Sequence, residues 1–370
     1  MLDRALCEEV FREAVIECDP AARVRVALQR EPVQGKAVIG LAVGKAALAM
    51  ARGAGDVTRG LVVTNADDGL GVPAGWRVMV AGHPVADERS FHAGAEAVIL
   101  MKSAEPDDVV LALISGGASA LIEECRPGVS PDELRAKAAE KMASGASIHE
   151  LNTLRISLSG IKGGQLADRS KAPVVTLVVS DVIGDDPRFV GSGPTVRDGD
   201  RPRVMERPDS AVRPDRVEIV APMTSFGEAV HAGLTARGIA SRRIVEPLAG
   251  DVADVARRLA AEPGVVVAWG EPSVVVPDLH GLGGRAQQLA LELAREIRGS
   301  DRAGFIAGSD GIDGPGNAAG AFVDGLTWEA VLDPEGALAR CDAGTALAAI
   351  GALVITGPTG INHADVMIVG

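Results

Sequence analysis

The chain has 370 residues, of which 47% are hydrophobic but only 2% aromatic, and it contains no Tyr. This length exceeds the size at which a single hydrophobic core stops growing, so we expect two domains with cores of Val, Leu, Ile and Ala. The net charge of −13 and the lack of a basic stripe with stacking aromatic residues argue against nucleic acid as a partner.

The N-terminal segment predicts a helix rather than a signal peptide. Residues 3–28 place apolar and charged residues at helical spacing, with an interruption near Asp19 and Pro20. No apolar run reaches the roughly 18 residues needed to cross a bilayer. The scattered cysteines, without a C-x-x-C pair, are typical of free thiols in a reducing compartment. We therefore predict a cytoplasmic protein that binds no membrane.

In the first half of the chain, apolar runs alternate with helical segments. The predicted strands are 36–43, 60–65, 77–82, 109–114 and 174–179. A further helix is predicted to begin near Ser130, with Ser as its N-cap and Pro131 in its first turn. Strands and helices alternating in this way indicate βαβ units and a mostly parallel sheet.

Residues 196–216 interrupt this alternation, because the segment is polar and rich in proline. The segment is a domain boundary or a surface excursion. We place the boundary there and predict domains 1–215 and 216–370, with a helix in residues 1–30 that can pack on the other domain. In the second domain we predict strands at 217–220, 242–245, 265–269, 304–308, 353–356 and 365–369, an apolar run at 273–276, and helices ending near 237, at 250–261, at 283–298 and within 327–350. The predicted fold class is α/β, with two α/β domains and mostly parallel sheets.

Glycine-rich loops that carry charged or hydroxyl side chains follow several of these strands. They lie at 115–119, 180–195, 307–320 and 356–362. Ligands of open α/β sheets bind in loops at the carboxyl ends of strands. Glycine lets backbone N–H groups approach a phosphate closely, and acidic side chains can hold a divalent metal. The pattern predicts a site for a phosphorylated ligand with Mg²⁺.

Two segments of the chain, 40–46 and 115–119, are candidates for holding phosphate. The run G-L-A-V-G-K-A (40–46) is one residue too short for a P-loop and has Ala46 where Ser or Thr would hold Mg²⁺. Lys45 nevertheless begins a predicted helix, where a cation is unfavourable unless an anion lies nearby, so we predict an anion contact over a solvated surface lysine. The second loop is a candidate phosphate nest, although a tight strand-to-helix turn has the same pattern: Ser115, Gly116, Gly117, Ala118 and Ser119.

Acidic and basic residues in the other loops are candidates for metal binding and catalysis. Asp181, Asp185 and Asp186 fall within six residues, where they repel each other unless a cation is present or one keeps a proton. Asp310 and Asp313 form a second acidic pair.

Three cations, Arg155, Lys162 and Arg285, lie in glycine-rich or polar surroundings. Arg285 follows Gly283 and Gly284 at a helix start, a good position for bidentate contact with a carboxylate or phosphate. A surface salt bridge is the alternative for these residues.

Taken in chain order, these loops resemble the glycerate 2-kinase family, whose C-terminal part is the MOFRL domain. The stretches that carry the resemblance are V-G-K-A-A-L-A-M (43–50), A-G-H-P-V-A-D (81–87), L-I-S-G-G-A-S-A-L (113–121), N-T-L-R (152–155), I-K-G-G-Q-L-A (161–167), V-S-D-V-I-G-D-D (179–186), G-S-G-P-T-V (191–196), G-E-P-S-V (270–274), G-L-G-G-R-A-Q-Q-L-A-L (281–291), A-G-S-D-G-I-D-G-P (307–315), A-A-G-A (318–321) and T-G-P-T-G-I-N (356–362). They cover nearly the whole chain in family order, so the resemblance is specific.

The resemblance implies ATP-dependent phosphorylation of D-glycerate at its 2-hydroxyl, with Mg²⁺. It places the active site in a cleft between a Rossmann-like N-terminal domain and the MOFRL domain, with Lys45 and Arg285 as its cations. We expect a carboxylate, Asp181 or Asp186, to accept the hydroxyl proton. The remaining assignments are cofactor binding by residues 115–119, Gly193 and Asp313, substrate binding by Arg155, Lys162 and Arg285, and metal binding by Asp181 or Asp310. A homodimer is left open.

Three alternatives accompany this interpretation. Some family members carry a hydroxypyruvate reductase label, but no strand–GxGxxG–helix unit for NAD(P)H is found in the sequence. A kinase of a related small hydroxy acid and a catalytically weakened sensor also stay open. The reason is that the chain departs from the family pattern, for instance at Ala118, Ile156 and Ser157, where the family usually has Gly, Lys and His.

Overall fold

The computed structural model describes residues 2–143, 148–182, 184–197 and 215–370. It divides the chain into two compact units. We call Pro20–Met223 the N-terminal unit, and Met1–Asp19 together with Thr224–Gly370 the C-terminal unit. The predicted N-terminal helix is two helices, α1 (Arg4–Glu17) and α2 (Pro20–Arg30), which belong to different units.

The N-terminal unit contains a six-stranded, wholly parallel sheet. Its strands are β1 (Val38–Val43), β2 (Arg59–Thr64), β3 (Trp76–Val80), β4 (Val109–Ser115), β5 (Val174–Val179) and β6 (Arg216–Ala221), in the order β3-β2-β1-β4-β5-β6. This is the order of the doubly wound, Rossmann-type sheet. Every residue of β4 and β5 is buried, which is why both strands are continuous apolar runs.

Helices connect these strands: α3 (Ala47–Ala54), α4 (Glu88–Lys102), α5 (Ala118–Leu121), α6 (Pro131–Ala143) and α7 (Ile148–Leu158). Helix α6 begins at Pro131, and the Ser130 hydroxyl accepts from the Glu133 N–H (3.1 Å), as the sequence predicts. Short 3-10 turns follow at Ala167–Arg169 and Val190–Ser192.

The domain boundary differs from the predicted one. We placed it after residue 215, but β6 pairs with β5 and completes the first sheet, so the division falls between Met223 and Thr224. Most of the polar segment on which that prediction rested, residues 198–214, lies outside the described residues.

The C-terminal unit contains a mixed sheet. Its strands are β7 (Ser241–Arg243), β8 (Val265–Gly270), β9 (Ala303–Gly308), β10 (Gly320–Asp324), β11 (Leu353–Val354) and β12 (Asp365–Val369), in the order β11-β10-β9-β12-β8-β7. Four of these strands point the same way, whereas β10 and β12 run in the opposite direction. Its helices beyond α1 are α8 (Ser225–Ala236), α9 (Val252–Ala261), α10 (Arg285–Glu296), α11 (Thr327–Ala330), α12 (Pro334–Ala339) and α13 (Ala343–Ala349).

The α/β architecture is confirmed, but two details of the second half differ from the prediction. Strand β10 was not predicted, because Gly320–Asp324 is short and adjoins a glycine-rich loop. The apolar run 273–276 forms no strand; Ser273 makes one isolated bridge with Asp251, and Val275 is 87% exposed. No helix in the described part of the chain is long and apolar enough to span a membrane.

Candidate active site

The loops after β1 and β4 are joined at the point where the strand order of the first sheet reverses. Ligands of doubly wound sheets bind at this switch point. The Lys45 N–H donates to the Gly116 carbonyl (2.9 Å), and the Ala46 N–H donates to the Ser115 hydroxyl (3.1 Å). Gly44 has a φ of +134°, and a Cβ there would overlap Ser115, so only glycine allows the two loops to come this close.

Three ionisable side chains surround the glycine pair of the second loop. A Cβ on Gly116 would overlap the Asp181 carboxylate, which therefore lies against the backbone of this loop. A Cβ on Gly117 would lie 3.1 Å from the His83 imidazole and 3.3 Å from Lys45 Cγ. The loops after β1, β3 and β5 thus bring a cation, an imidazole and a carboxylate to this loop, in which Gly116 is buried and Gly117 is partly exposed.

For His83, the sequence leaves a catalytic base and a structural turn histidine equally open. His83 follows β3 and precedes Pro84, and its ring lies beside Gly117. Partial burial lowers the pKa of His83, and the charge of Lys45 acts in the same direction. His83 is therefore a neutral imidazole at pH 7. One of its ring nitrogens donates a hydrogen bond and the other accepts one.

Arg155 contacts the far end of the same loop from α7. Its Nη1 donates to the Ser119 hydroxyl (3.2 Å). Burial lowers the pKa of Arg155, and the charge of Glu123 opposes that effect. Arg155 is thus a partly desolvated cation in direct contact with the candidate phosphate loop.

Lys162 has a different environment from the predicted one. Its side chain is 2% exposed and forms an ion pair with Glu123, whose side chain is equally buried. The other Glu123 oxygen accepts from the Ser159 hydroxyl (2.6 Å) and the Glu124 N–H (3.0 Å). Burial lowers the pKa of Lys162, while Glu123 favours its charged form. These contacts are internal, so they do not support the substrate-binding role predicted for Lys162.

Several other predicted residues of this unit have structural contacts. Asp186 accepts two hydrogen bonds from Arg188 Nε (2.9 and 3.0 Å), and Asp185 accepts from the Met223 N–H (2.8 Å). Gly193 is buried, has a φ of +54° and accepts from the Gly164 N–H (2.8 Å). Ala118 is also buried, and it packs on Gly191. Together with the Ser115 hydroxyl, these groups shape the loops, which leaves Lys45, Gly116, Gly117, Ser119 and Asp181 as candidates for direct ligand contact.

The C-terminal unit contains a cavity of about 690 Å³ at the start of α10. Arg285, Asp310 and Asp313, which the sequence analysis singled out, all line it, together with Glu271 and Asp365. Arg285 Nε donates to Asp365 Oδ2 (2.7 Å), and Nη2 donates to Asp365 Oδ1 (3.3 Å) and Glu271 Oε1 (2.8 Å). The predicted cation is therefore held by two carboxylates that were not predicted.

Asp313 caps α10. Its carboxylate accepts from the Ala286 N–H (3.0 Å), the Gln287 N–H (2.8 Å) and the Gln287 side chain (3.0 Å). A Cβ on Gly284 would overlap this carboxylate, which explains the glycine before Arg285. Asp313 thus satisfies the free N–H groups of the helix, and these contacts do not support the cofactor-binding role predicted for it.

The chain matches two known protein families. Residues 6–208 match a family described as a domain of unknown function (DUF4147), and residues 264–365 match the MOFRL family. The chain is 33% identical to D-glycerate 2-kinase of Thermotoga maritima, over 99% of this chain and 97% of that protein. The chain belongs to the MOFRL-domain glycerate kinase family.

Further relatives in this family agree in fold but carry two kinds of name. The crystal structure of glycerate kinase from Thermotoga maritima superposes with a TM-score of 0.87 at 31% identity, covering 99% of this chain and 98% of that one. A protein of Agrobacterium vitis, 36% identical over 98% of this chain and 93% of its own length, is named as a hydroxypyruvate reductase.

The positions of the acidic side chains limit how the described part of the protein can bind a metal ion. Within the described ranges, no group of three or more His, Cys, Asp and Glu side chains could hold a metal ion. Asp310 accepts from the Ile312 N–H (3.1 Å), and Asp181 lies against Gly116. Because Mg²⁺ in phosphoryl-transfer enzymes takes one or two carboxylates and completes its shell with phosphates and water, a single carboxylate beside a phosphate loop fits Mg²⁺ that arrives with a nucleotide.

The family resemblance found Arg285 but not the carboxylates that hold it. Glu271 and Asp365 lie 14 and 80 residues from Arg285 in sequence. Glu271 is part of the G-E-P-S-V stretch, which contributes to the family resemblance but to which no role in the site was assigned. Asp365 is a single acid at the start of a strand, outside any glycine loop, and nothing in its local sequence distinguishes it.

Proposed function

We propose that this protein catalyses the ATP-dependent phosphorylation of D-glycerate at its 2-hydroxyl, giving 2-phosphoglycerate and ADP. The observation that carries the proposal is the arrangement around Gly116 and Gly117, where Lys45, His83 and Asp181 meet at the switch point of a Rossmann-type sheet. Membership of a family that includes a Thermotoga maritima D-glycerate 2-kinase supports this substrate.

In this proposal, the β4 loop and Lys45 bind the phosphates of ATP. Phosphoryl transfer requires mostly positioning and neutralisation of charge, which backbone N–H groups and a lysine ammonium provide. Mg²⁺ would be held by the phosphates together with Asp181 or Asp310, the two carboxylates predicted from the sequence to bind metal, and would reduce the negative charge of the phosphates.

The acceptor hydroxyl must lose its proton as its oxygen bonds to the γ-phosphorus and the bond to ADP breaks. Asp181 and Asp186 were both predicted as the base. We favour Asp181, because its carboxylate lies against Gly116 of the candidate phosphate loop. A base must be within hydrogen-bond reach of the proton it removes. Arg155 and Arg285 are the proposed cations for the glycerate carboxylate or the transferred phosphoryl group.

The proposed reaction is tested by measuring ADP release from ATP with each glycerate enantiomer and related hydroxy acids, with and without Mg²⁺. The position of the new phosphate is identified by ³¹P NMR. We expect Mg²⁺-dependent turnover of D-glycerate to 2-phosphoglycerate. Absence of ADP release with every hydroxy acid would exclude the kinase.

Lys45→Ala tests the phosphate-binding part. Removing one donor to developing charge typically costs about 10²–10³-fold, so we expect kcat/KM for ATP to fall by that order. Lys36→Ala is the matched control, since Lys36 is an exposed lysine ahead of β1 whose side chain lies outside these contacts. Equal activity of both variants would remove Lys45 from the mechanism.

A hydroxypyruvate reductase is a second candidate, because relatives such as the Agrobacterium vitis protein carry that name. It predicts NAD(P)H oxidation in the presence of hydroxypyruvate, followed as loss of absorbance. The loop after β1 lacks the glycine spacing of a dinucleotide site, which weighs against it. The same protein preparation serves both assays, so a single comparison separates the two reactions.

A further inference from the structure

The guanidinium of Arg285 has five N–H donors, and three of them are committed within the protein. Nε and one N–H of Nη2 bind the two oxygens of Asp365, and the second N–H of Nη2 binds Glu271. Among the described residues, Nη1 has no partner. Arg285 therefore offers a ligand only the two N–H groups of Nη1, and the side-on fork predicted from the sequence is already occupied by Asp365.

The partners of Arg285 are fixed from several directions. The Asp365 side chain is 6% exposed and begins β12, a buried central strand of the second sheet, whereas Glu271 is 44% exposed and follows β8. Arg285 itself is the first residue of α10, whose N-terminus is tied down by Asp313. A long, flexible side chain is thus held at its base by a capped helix and at its tip by a strand.

We propose that Asp365 is a positioning residue for the transfer reaction: it orients Arg285 so that Nη1 faces the cavity, with Glu271 completing the grip. This rests on the proposed kinase function, in which Arg285 contacts the substrate carboxylate or the moving phosphoryl group. Glu271 also offsets the positive charge of Arg285, so the residue recognises a ligand by direction more than by net charge. The pKa of Arg285 fits this arrangement. Burial lowers this pKa, but the hydrogen bonds and charges of Asp365 and Glu271 have the larger effect and raise it.

A double-mutant cycle between Asp365 and Arg285 tests the proposal. We expect Asp365→Asn to lower kcat by about 10–100-fold while KM for ATP changes less than about twofold, because a misplaced group costs rate rather than nucleotide binding. In the Arg285→Ala background, Asp365→Asn should change kcat by less than about twofold, since its effect passes through Arg285. Glu262→Gln, which removes the partner of Arg242 elsewhere in the same unit, is the control for loss of a carboxylate.

A spectroscopic readout separates this proposal from the kinase proposal. In the ¹⁵N–¹H spectrum of wild-type protein, the Arg285 Nε–H should exchange slowly with water, with the peak assigned by its loss in Arg285→Lys. It should broaden or vanish in Asp365→Asn. Wild-type protein without kinase activity but with this protected signal would contradict the reaction and retain the positioning.

The remaining outcomes also decide the proposal. The proposal is wrong if Asp365→Asn lowers kcat as much in the Arg285→Ala background as it does in the wild type. It is also wrong if the Arg285 Nε–H signal is unchanged in Asp365→Asn. If Asp365→Asn does not fold, the more exposed Glu271→Gln takes its place in the same cycle. A kcat loss of about threefold or more that disappears without Arg285 supports the proposal, and a loss that persists without Arg285 refutes it.

Discussion

Two buried carboxylates beside the start of α10 have different tasks. Asp313 binds backbone N–H groups of the helix, whereas Asp365 binds the side chain of its first residue. Burial raises the pKa of both acids. For Asp313 the hydrogen bonds from Gln287 and Ala286 lower the pKa and oppose that effect. Residues of the same type thus differ in chemistry because of the donors that face them.

Asp365 should make the stability of the C-terminal unit depend on pH. Burial raises its pKa to about 7 in spite of Arg285, and Asp313 and Glu271 add to the rise; Asp310 also lies near, across Gly308. Between about pH 4 and pH 7 the unfolded chain has lost this proton but the folded protein keeps it, so stability falls as pH rises. The resulting loss in the free energy of unfolding reaches roughly 4 kcal/mol and is complete above pH 7.

Urea unfolding of wild type and Asp365→Asn at several pH values checks this dependence. The stability difference, wild type minus variant, should decrease from pH 4 to pH 7 and then stay constant. Asp254→Asn, at an aspartate that is 70% exposed, is the control for loss of a carboxyl group. Parallel pH curves for wild type and Asp365→Asn would show that the buried carboxyl titrates normally.

The sequence predicted individual residues where a local pattern existed, and failed where partners are distant. Lys45 and Asp181 are predicted as site residues because each follows an apolar strand in a loop that contains glycine. Glu123 and Asp365 were not, since the residues that give them meaning, Lys162 and Arg285, lie 39 and 80 positions away. Burial of an ion pair is a property of the folded chain that no local spacing encodes.

At the scale of elements, the connections after α5 and α7 are joined by the buried pair of Glu123 and Lys162. Glu123 follows α5, which continues from the candidate phosphate loop, and Lys162 follows α7, which carries Arg155. The pair therefore links the two segments that bring Ser119 and Arg155 together. Its role in this account is structural, in contrast to the role predicted from its glycine-rich surroundings.

Lys162→Met should destabilise the N-terminal unit by about 3–5 kcal/mol, because it leaves the Glu123 carboxylate buried without its counter-ion. Replacing both partners, as Lys162→Met with Glu123→Leu, should recover part of that loss, since no charge is then left unpaired. Chemical denaturation of the three proteins measures both values. A Lys162→Met protein of unchanged stability but raised KM for glycerate would instead restore the substrate-binding role.

The elements themselves were mostly predictable, because strands buried on both faces are continuous apolar runs. The exceptions have physical reasons. The run 273–276 is apolar without being buried, and β10 is a short strand beside glycine-rich sequence. Direction within the second sheet was also not predictable, since an isolated strand such as β12 carries no local mark of whether it runs parallel or antiparallel to its neighbours.

At the scale of the whole molecule, the first helix belongs to the unit formed by the last part of the chain. Phe11 of α1 packs against Phe226 (ring centroids 5.1 Å apart) and Phe305 (5.6 Å), and it is 1% exposed. Arg237 of the same unit pairs with Glu9 (2.8 Å) and Glu13 (2.7 Å) on α1. The sequence predicts a helix here that can pack on the other domain, although an amphipathic face does not by itself identify its partner.

Phe11→Ala should therefore weaken the C-terminal unit, although it lies more than 200 residues before most of that unit. Removing a buried phenylalanine ring costs about 3–5 kcal/mol, through lost burial and the cavity left behind. Hydrogen exchange should accelerate in β8, β9 and β12 and stay unchanged in β1 and β4. Arg12→Ala, at a position on the same helix that is 61% exposed, should change stability by less than about 0.5 kcal/mol. Faster exchange confined to the first sheet would assign α1 to the other unit, because the cavity left by the ring destabilises the unit in which the ring packs.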